Sequence, residues 1–279
     1  KGFNMKDLHI HTKYSDGEYN EFDIIKKVKN AGVTEFAICD HDTIEGSEKV
    51  SQLLNNDSSI IFHSGVELTS RVNGYDNGIN VHMLARDFDY DEPGMNQLIS
   101  KISNLRKQKI DRMVKFIYEK YHVQLGKKEV DNVVKSTNSV GKPHMYKLLC
   151  NHGNYDRREY YRIMDELNSD DLRLDAINVI NTVHKGKGNI TLAHPIEIMG
   201  EYNYNYEQID KLVAYLKSYG LDGLETRHSS QTEEDYQQFS KIAKKHGLIE
   251  TCGSDYHGEN VKPDVRIGVC EKTINTMTK

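Results

Sequence analysis

The sequence has no tryptophan, four cysteines and no apolar run near the ~20 residues that a membrane-spanning helix needs. The missing run excludes a transmembrane helix, and no secretory leader is visible from Lys1 onward. The cysteines, Cys39, Cys150, Cys252 and Cys270, are scattered without a C-x-x-C pair. That spacing removes the usual thiolate-zinc and dithiol signatures, and free thiols in or near the core of a cytoplasmic protein are expected. A dominant charge sign is lacking too. Lys and Arg number 37 against 42 Asp and Glu, and the net charge of −5 gives no general preference for nucleic acid. Internal repeats and low-complexity tracts are absent, and "GEYNYNYEQ" reads only as a polar, aromatic loop. What is present is a globular composition, 37% hydrophobic and 28% charged over 279 residues, enough for one large domain. Thirteen histidines are many for that length, and their placement carries the chemistry.

Short apolar runs alternate with amphipathic ones. "DLHIH", "FAICD", "IIFHSGVE", "INVHMLA", "NITLAH", "LDGLET" and "LIETCGSD" read as strands. "EFDIIKKVKNAG", "EQIDKLVAYLKSYG" and "TEEDYQQFSKIAKKHG" read as helices that end at Gly32, Gly220 and Gly247. This alternation predicts an α/β fold with a mostly parallel sheet and helices outside it. Seven or so strands suggest a TIM-like barrel rather than an open sheet. Residues 92–181 lack a strand pattern and carry helical spacing at Leu98, Ile102, Leu105, Ile110, Met113 and Ile117. They are expected to form a helical insertion in a barrel built from 1–91 and 182–279. The basic stretch from Lys101 to Lys128 is either a solvated helix face or a lid over an anionic substrate.

The strand-like runs tend to end in residues that bind metals. His9, His11 and Asp16 follow the first run, and Asp40, His41 and Asp42 the second. Glu67, His82, His194, and the pair Asp255 and His257 follow or lie in later ones. In a strand-and-helix barrel these ends meet at one edge. Residues i and i+2 of a strand face the same side, so His9 and His11 can reach one ion, as can Asp255 and His257. The turn at Ser15 to Gly17 can return Asp16 to that cup, and Gly65 and Gly253 allow close backbone approach. Imidazoles and carboxylates without thiolate suit Zn²⁺, Mn²⁺ or Fe²⁺. The donors exceed the roughly four that one tetrahedral ion uses and fit two or three ions around a shared carboxylate. Each residue also has a plain reading: a hydrogen-bonded histidine, a turn aspartate, a surface glutamate. Those readings would all have to hold together at successive strand ends.

The motifs "DLHIHTKYSDG", "CDHDTIEG", "LAHP" and "GSDYHG", with "SGVE" and "NVHMLA", resemble the polymerase and histidinol phosphatase (PHP) family of metallophosphoesterases. The resemblance spans about the whole chain. It implies a distorted seven-stranded (β/α) barrel with a trinuclear metal centre. Carried over by motif, the ligands are His9, His11, Asp16, His41, Glu67, His82, His194, Asp255 and His257. The implied partition puts His9, His11, Glu67 and Asp255 on one ion. Glu67, His82 and His194 hold a second, with Glu67 bridging, and Asp16, His41 and His257 hold the third. The insertion and "VGKPHMYKLL" resemble the branch that dephosphorylates nucleoside 3′,5′-bisphosphates or degrades short RNA from its 5′ end. That branch commonly reads Gly-Arg-Pro-His where this chain has Gly141-Lys142-Pro143-His144, and Lys lacks the bidentate fork of Arg.

The expected chemistry is hydrolysis of a phosphomonoester by a metal-activated hydroxide. Glu67, Asp255 and His228 are candidate catalytic residues. Arg227 and His228 are candidates for holding the phosphate, with His228 also able to protonate the leaving group. Arg106, Lys142 and His144 are candidates for a second phosphate or the nucleotide, and Arg112 is a weaker one. Asp40 and Asp42 are expected to orient imidazoles from behind. The expected partner is a small phosphorylated substrate, with no membrane and no stable protein partner. Competing expectations are a histidinol phosphate phosphatase, a non-catalytic metal-binding PHP module and a metal amidohydrolase. The last usually centres on a bridging lysine, which no strand-end motif here supplies.

Overall fold

Local chemistry sets the helix ends. Asn20 accepts hydrogen bonds from the backbone N–H groups of Phe22 and Asp23 and so opens the first helix. Thr232 caps the last one, with Asp235 returning the bond in a capping box. Gly32, Gly220 and Gly247 follow their helices with φ of +76°, +105° and +61°, a left-handed stop that favours glycine.

The computed structural model describes residues 5–136 and 140–268. In chain order the first elements are β1 (Met5–Ile10), α1 (Glu21–Asn30), β2 (Val33–Ile38), α2 (Glu45–Leu54), β3 (Ile61–His63), β4 (Gly65–Val72) and β5 (Ile79–Arg86). Four helices follow: α3 (Pro93–Tyr121), α4 (Lys127–Ser136), α5 (Lys142–Cys150) and α6 (Arg157–Met164). Then come β6 (Leu174–Asp175), α7 (Ala176–Lys185), β7 (Asn189–Leu192), α8 (Pro195–Tyr202) and α9 (Tyr206–Ser218). The chain closes with β8 (Gly223–His228), α10 (Glu233–Lys245) and β9 (Ile249–Gly253). The fold is mixed α/β.

One sheet has the order β1-β2-β3 and a second the order β6-β4-β5-β7-β8-β9. All pairings are parallel except those of β5, which runs antiparallel to both β4 and β7. The expectation of a mostly parallel arrangement holds with this one reversal. Its cause is the connection 73–78, in which Asp76, Asn77 and Gly78 adopt positive φ. A short turn of that kind reverses the chain without a crossover helix. The two sheets meet at both margins. The Asp255 N–H donates to the His9 carbonyl (2.8 Å) and the His11 N–H to that of Tyr256 (2.9 Å). The Glu67 N–H donates to the Asp40 carbonyl (3.1 Å) and the Asp42 N–H to that of Glu67 (2.8 Å).

The largest buried cluster joins strand residues such as Leu68, Met83, Leu192 and Leu224 to Leu212 and Phe239 of the outer helices. A second packs Ile10, Phe36 and Ile38 under Ile24, Val28 and Val50. Residues 92–181 are divided between cores. Ile110, Met113, Ile117, Met145, Leu149 and Tyr160 form their own cluster. Met95, Leu98 and Ile102 of α3, with Val179, Ile180 and Val183 of α7, join the main one. The short strand β6, which no pattern of residues announces, pairs with β4. Among the described residues no helix is long and apolar enough to cross a membrane. Cys39 is buried and Cys252 half-buried, but Cys150 is exposed at the end of α5, against the expectation of a place near the core. Cys270 lies outside the described residues.

Candidate metal centre

Glu67 is fully buried at the middle of a ring of imidazoles. Its Oε2 stands 3.2 Å from Nε2 of His9, 3.2 Å from Nε2 of His11 and 3.0 Å from Nδ1 of His41. Its Oε1 stands 2.9 Å from Nδ1 of His82 and 2.9 Å from Nε2 of His194. The two oxygens thus face different sets of nitrogens. Asp255 Oδ1 adds a second carboxylate 3.2 Å from Nε2 of His11 and 3.7 Å from Nε2 of His9. Asp16 forms a further group, with Oδ1 3.2 Å from Nε2 of His257 and Oδ2 3.7 Å from Nε2 of His41.

Strand geometry assembles this set. His9 and His11 share a side by alternation at the end of β1. His82 lies early in β5, opposite Thr69, and reaches the same edge because β5 runs backwards. Gly253 is required at its place: a Cβ there would stand 2.2 Å from Cβ of His9 and 2.7 Å from Oε1 of Glu225. Gly65 is similarly pressed, 2.7 Å from the Ile38 carbonyl. Asp42, His194 and Asp255 have positive φ (55°, 24° and 55°), backbone strain of the kind that gathers at functional sites.

Hydrogen bonds behind the ring fix which nitrogen faces inward. His257 Nδ1 donates to the Asp255 carbonyl (2.9 Å), so its Nε2 points at Asp16 Oδ1. His9 Nδ1 donates to Glu225 Oε1 (3.0 Å), which turns its Nε2 towards Glu67 Oε2 at 3.2 Å. His228 has the opposite tautomer. Its Nδ1 accepts from the Ser230 N–H (3.2 Å), so Nε2 carries the proton and faces Asp255 Oδ2 at 3.3 Å.

Electrostatics follow the same geometry. Burial opposes the charge of Glu67, yet His41, His9 and His82 hold its carboxyl well below the ordinary range. Burial likewise opposes Asp16 and Asp255, which His41 and His257 keep low in the first case and His257 and Lys262 in the second. Burial pushes His41 down to about 3. For His11, burial is outweighed by Asp255 and Glu67, and its pKa rises to about 9.

His9, His11, Asp16, His41, Glu67, His82, His194, Asp255 and His257 therefore converge, and His228 joins them through Asp255. The other expected residues sit elsewhere. Asp40 faces no imidazole: it accepts from the Thr12 N–H (2.7 Å), the Thr12 hydroxyl (2.6 Å) and the Ser15 hydroxyl (2.6 Å), and so shapes the loop after β1. Asp42 accepts from the Thr69 N–H (2.7 Å) and from Arg106 Nε (2.7 Å). Arg106 is thereby committed to an ion pair that ties α3 to the centre. Lys142 pairs with Asp165 (2.5 Å), Arg112 with Asp171 (2.7 Å), and His144 Nδ1 accepts from the Gly141 N–H (3.1 Å). Arg227 turns towards α10, 3.5 Å over the Tyr236 ring. A bulge explains it: Glu225 opposes Thr251 and Arg227 opposes Cys252, so Thr226 is the extra residue. Past the bulge the alternation shifts, sending His228 inward and Arg227 outward.

Two participants escape a reading of the sequence. Glu225 is buried and binds both His9 Nδ1 and the His194 N–H (2.7 Å). A carboxylate two residues before Arg227 in a strand-end run was its signal. Lys262, in the segment after β9, forms an ion pair with Asp255 and gave no signal.

Whether the donors fit metal ions can be tested on their hydrogen bonding. His11 Nε2, Asp16 Oδ1, His41 Nδ1, His82 Nδ1 and His194 Nδ1 are buried without a hydrogen-bond partner. Such atoms ordinarily cost ~1–3 kcal/mol each; His11 Nε2, His41 Nδ1 and His82 Nδ1 face Glu67, Asp16 Oδ1 faces His257, and His194 Nδ1 faces Glu197. The sets His11/Asp16/His41/His257, His9/His11/Glu67 and His41/Glu67/His82 each keep their donor atoms within 4.8 Å of one another. Nitrogen and oxygen donors so arranged fit divalent cations.

Residues 7–229 match the PHP domain, and the chain belongs to the PHP domain family. It is 26% identical over 265 residues to a 5′-3′ exoribonuclease of Haemophilus influenzae, covering 90% of this chain and 89% of that one. It is 25% identical to a phosphoribosyl 1,2-cyclic phosphate 1,2-diphosphodiesterase of Eggerthella lenta, covering 91% and 95%. A solved structure from Bifidobacterium adolescentis, described as a metal-dependent phosphoesterase, superposes with a TM-score of 0.74 at 26% identity, covering 95% and 91%.

Proposed function

We propose that this chain is a metal-dependent phosphoesterase, a hydrolase that removes a phosphoryl group esterified to the ribose of a nucleotide or to the 5′ end of a short RNA. The observation that carries this reading is the single buried carboxylate of Glu67, shared among five imidazoles with its two oxygens facing different sets. Support also comes from the family and from relatives whose names both concern phosphate esters of ribose.

His9, His11, Glu67 and Asp255 would hold one cation, and Glu67, His82 and His194 a second. Asp16, His41 and His257 would hold a third, in a set that suits Mn²⁺, Fe²⁺ or Zn²⁺. Such ions supply Lewis acidity, lowering the pKa of bound water and offsetting charge on the phosphoryl oxygens. The chain's own residues do the rest. Glu225 and the Asp255 carbonyl hold Nδ1 of His9 and of His257 and so orient Nε2 of each ring towards the carboxylates. His228, with its proton on Nε2 beside Asp255, is placed to protonate the departing ribose oxygen. Arg106 and Asp42 fix α3 over the same edge.

The fold reading is part of the proposal. The hydrogen bonds at both sheet margins support a closed ring β1-β2-β4-β5-β7-β8-β9, a seven-stranded barrel with one reversed strand. The cluster around Ile110, Met145 and Tyr160 supports a helical insertion narrower than 92–181, with α7 belonging to the barrel. A cytoplasmic setting suits the free thiols of Cys39, Cys150 and Cys252.

A phosphate-release screen tests the function. Purified protein is loaded in turn with Mn²⁺, Fe²⁺ and Zn²⁺ and given nucleoside monophosphates, nucleoside bisphosphates, short 5′-phosphorylated RNAs and histidinol phosphate. Release from ribose phosphates is expected. Preference for histidinol phosphate would shift the reading to an amino-alcohol phosphatase, and release of neither phosphate nor nucleotide with any metal would leave only a binding module.

A further inference from the structure

Resting on the phosphoesterase reading, we propose that Lys262 is a fixed positive charge of the centre, acting through Asp255: it loosens the cation held there and leaves that cation more charge for the reacting phosphoryl group. The two oxygens of Asp255 are divided between neighbours. Oδ1 stands 3.2 Å from Nε2 of His11 and 3.3 Å from Nδ1 of His257. Oδ2 stands 3.3 Å from Nε2 of His228 and carries the ammonium of Lys262. Glu197, His228 and Asp255 also bring donor atoms within 4.8 Å of one another, a further set of the kind that holds a cation. The cation that the fold itself delivers to Asp255 of that set is Lys262.

The segment after β9 has other ties and does not need this contact to stay in place. Glu18 accepts from the Asn260 N–H (3.1 Å) and from its side-chain amide (2.5 Å). Glu259 accepts from the Tyr19 hydroxyl (2.6 Å) and from Lys27 (3.0 Å), and the Gly268 N–H donates to Asp7 (2.9 Å). Lys262 instead reaches inward. Its side chain is 35% exposed, yet its partner is a carboxylate only 5% exposed. A pair so placed is screened little by water and salt. Asp255 must therefore divide its charge between the ammonium and any cation on Oδ1. That cation is held less tightly and keeps more of its own charge for phosphoryl oxygens, where negative charge develops. Lys262 also shares Oδ2 with His228, the residue placed to protonate the departing oxygen, so its charge acts close to the breaking ester bond.

The test reads two quantities on the same preparations: Mn²⁺ affinity by equilibrium dialysis, and kcat for phosphate release from the best substrate of the screen. Lys262→Gln removes the charge and keeps a group that can hydrogen-bond to Asp255. Loss of one like charge beside the cation is expected to tighten Mn²⁺ binding about tenfold. Turnover is expected to fall about tenfold in the same variant, because less positive charge meets the transition state. Lys262→Met is expected to move both quantities in the same directions. Lys262→Arg is expected to recover most of the turnover that Lys262→Gln loses and to return Mn²⁺ affinity towards that of the parent. A tie that only holds the segment would give weaker Mn²⁺ binding and slower turnover together. Mn²⁺ affinity unchanged or weaker in the neutral variants, unchanged turnover in them, or unfolding of both by circular dichroism overturns the role of Lys262 alone. Absence of phosphate release by the parent from every substrate overturns the phosphoesterase reading beneath it, and the Mn²⁺ affinities then decide on Lys262 by themselves.

Discussion

Glu225 Oε1 holds the Nδ1 proton of His9 at 3.0 Å, while its Oε2 accepts the backbone N–H of His194 at 2.7 Å. One buried carboxylate therefore orients two residues of the proposed centre without facing the ring itself. Glu225→Gln is expected to leave the chain folded by circular dichroism. Bound metal, measured by mass spectrometry after dialysis, should fall, with affinity reduced about 10–100-fold. Metal affinity equal to that of the parent would show that Glu225 has no such role.

The ion pair between Arg106 and Asp42 decides between two uses of a cation. Side-chain exposure is 13% for Arg106 and 3% for Asp42, so removing one partner strands a buried charge. Arg106→Met is expected to cost about 3 kcal/mol in urea unfolding, within the range for broken buried pairs. A phosphate clamp would behave differently: substrate affinity would fall and the urea midpoint would stay.

His63 gives the fold a titratable tie away from the centre. Its Nδ1 lies 2.9 Å from Asp87 and its Nε2 3.2 Å from Glu35, which also pairs with Lys6 at 2.7 Å. The Asp87 hydrogen bond, opposed by burial and aided by Glu35, raises its pKa above the ordinary 6.5. A raised folded pKa stabilises fully below the unfolded value, and the benefit is lost as pH rises through the folded one. The unfolding midpoint of His63→Gln should therefore trail the parent more at about pH 6 than at about pH 9. An equal gap at both would contradict this.

Much of the centre was legible because strand alternation and chain ends are local. His9 and His11 announce a shared side by spacing alone, and Glu67 and His194 sit at the ends of apolar runs. What was not legible depends on geometry beyond two residues. The bulge at Thr226 reverses the sides of Arg227 and His228, so Arg227 was expected where it does not point. The reversal of β5 rests on the turn at 73–78, whose Asp-Asn-Gly run carried a hairpin signal that strand–helix alternation overshadowed. Arg106 lies in a basic helix that reads either as a solvated face or as a lid, and it finds its acid 64 residues away. Pairing at that range has no periodicity to reveal it.

The shared carboxylate is tested most directly by Glu67→Ala, assayed for phosphate release and metal content on the same sample. Loss of phosphatase activity with a folded chain and reduced metal content is the predicted result. Turnover like that of the parent from a metal-depleted Glu67→Ala protein would contradict the mechanism.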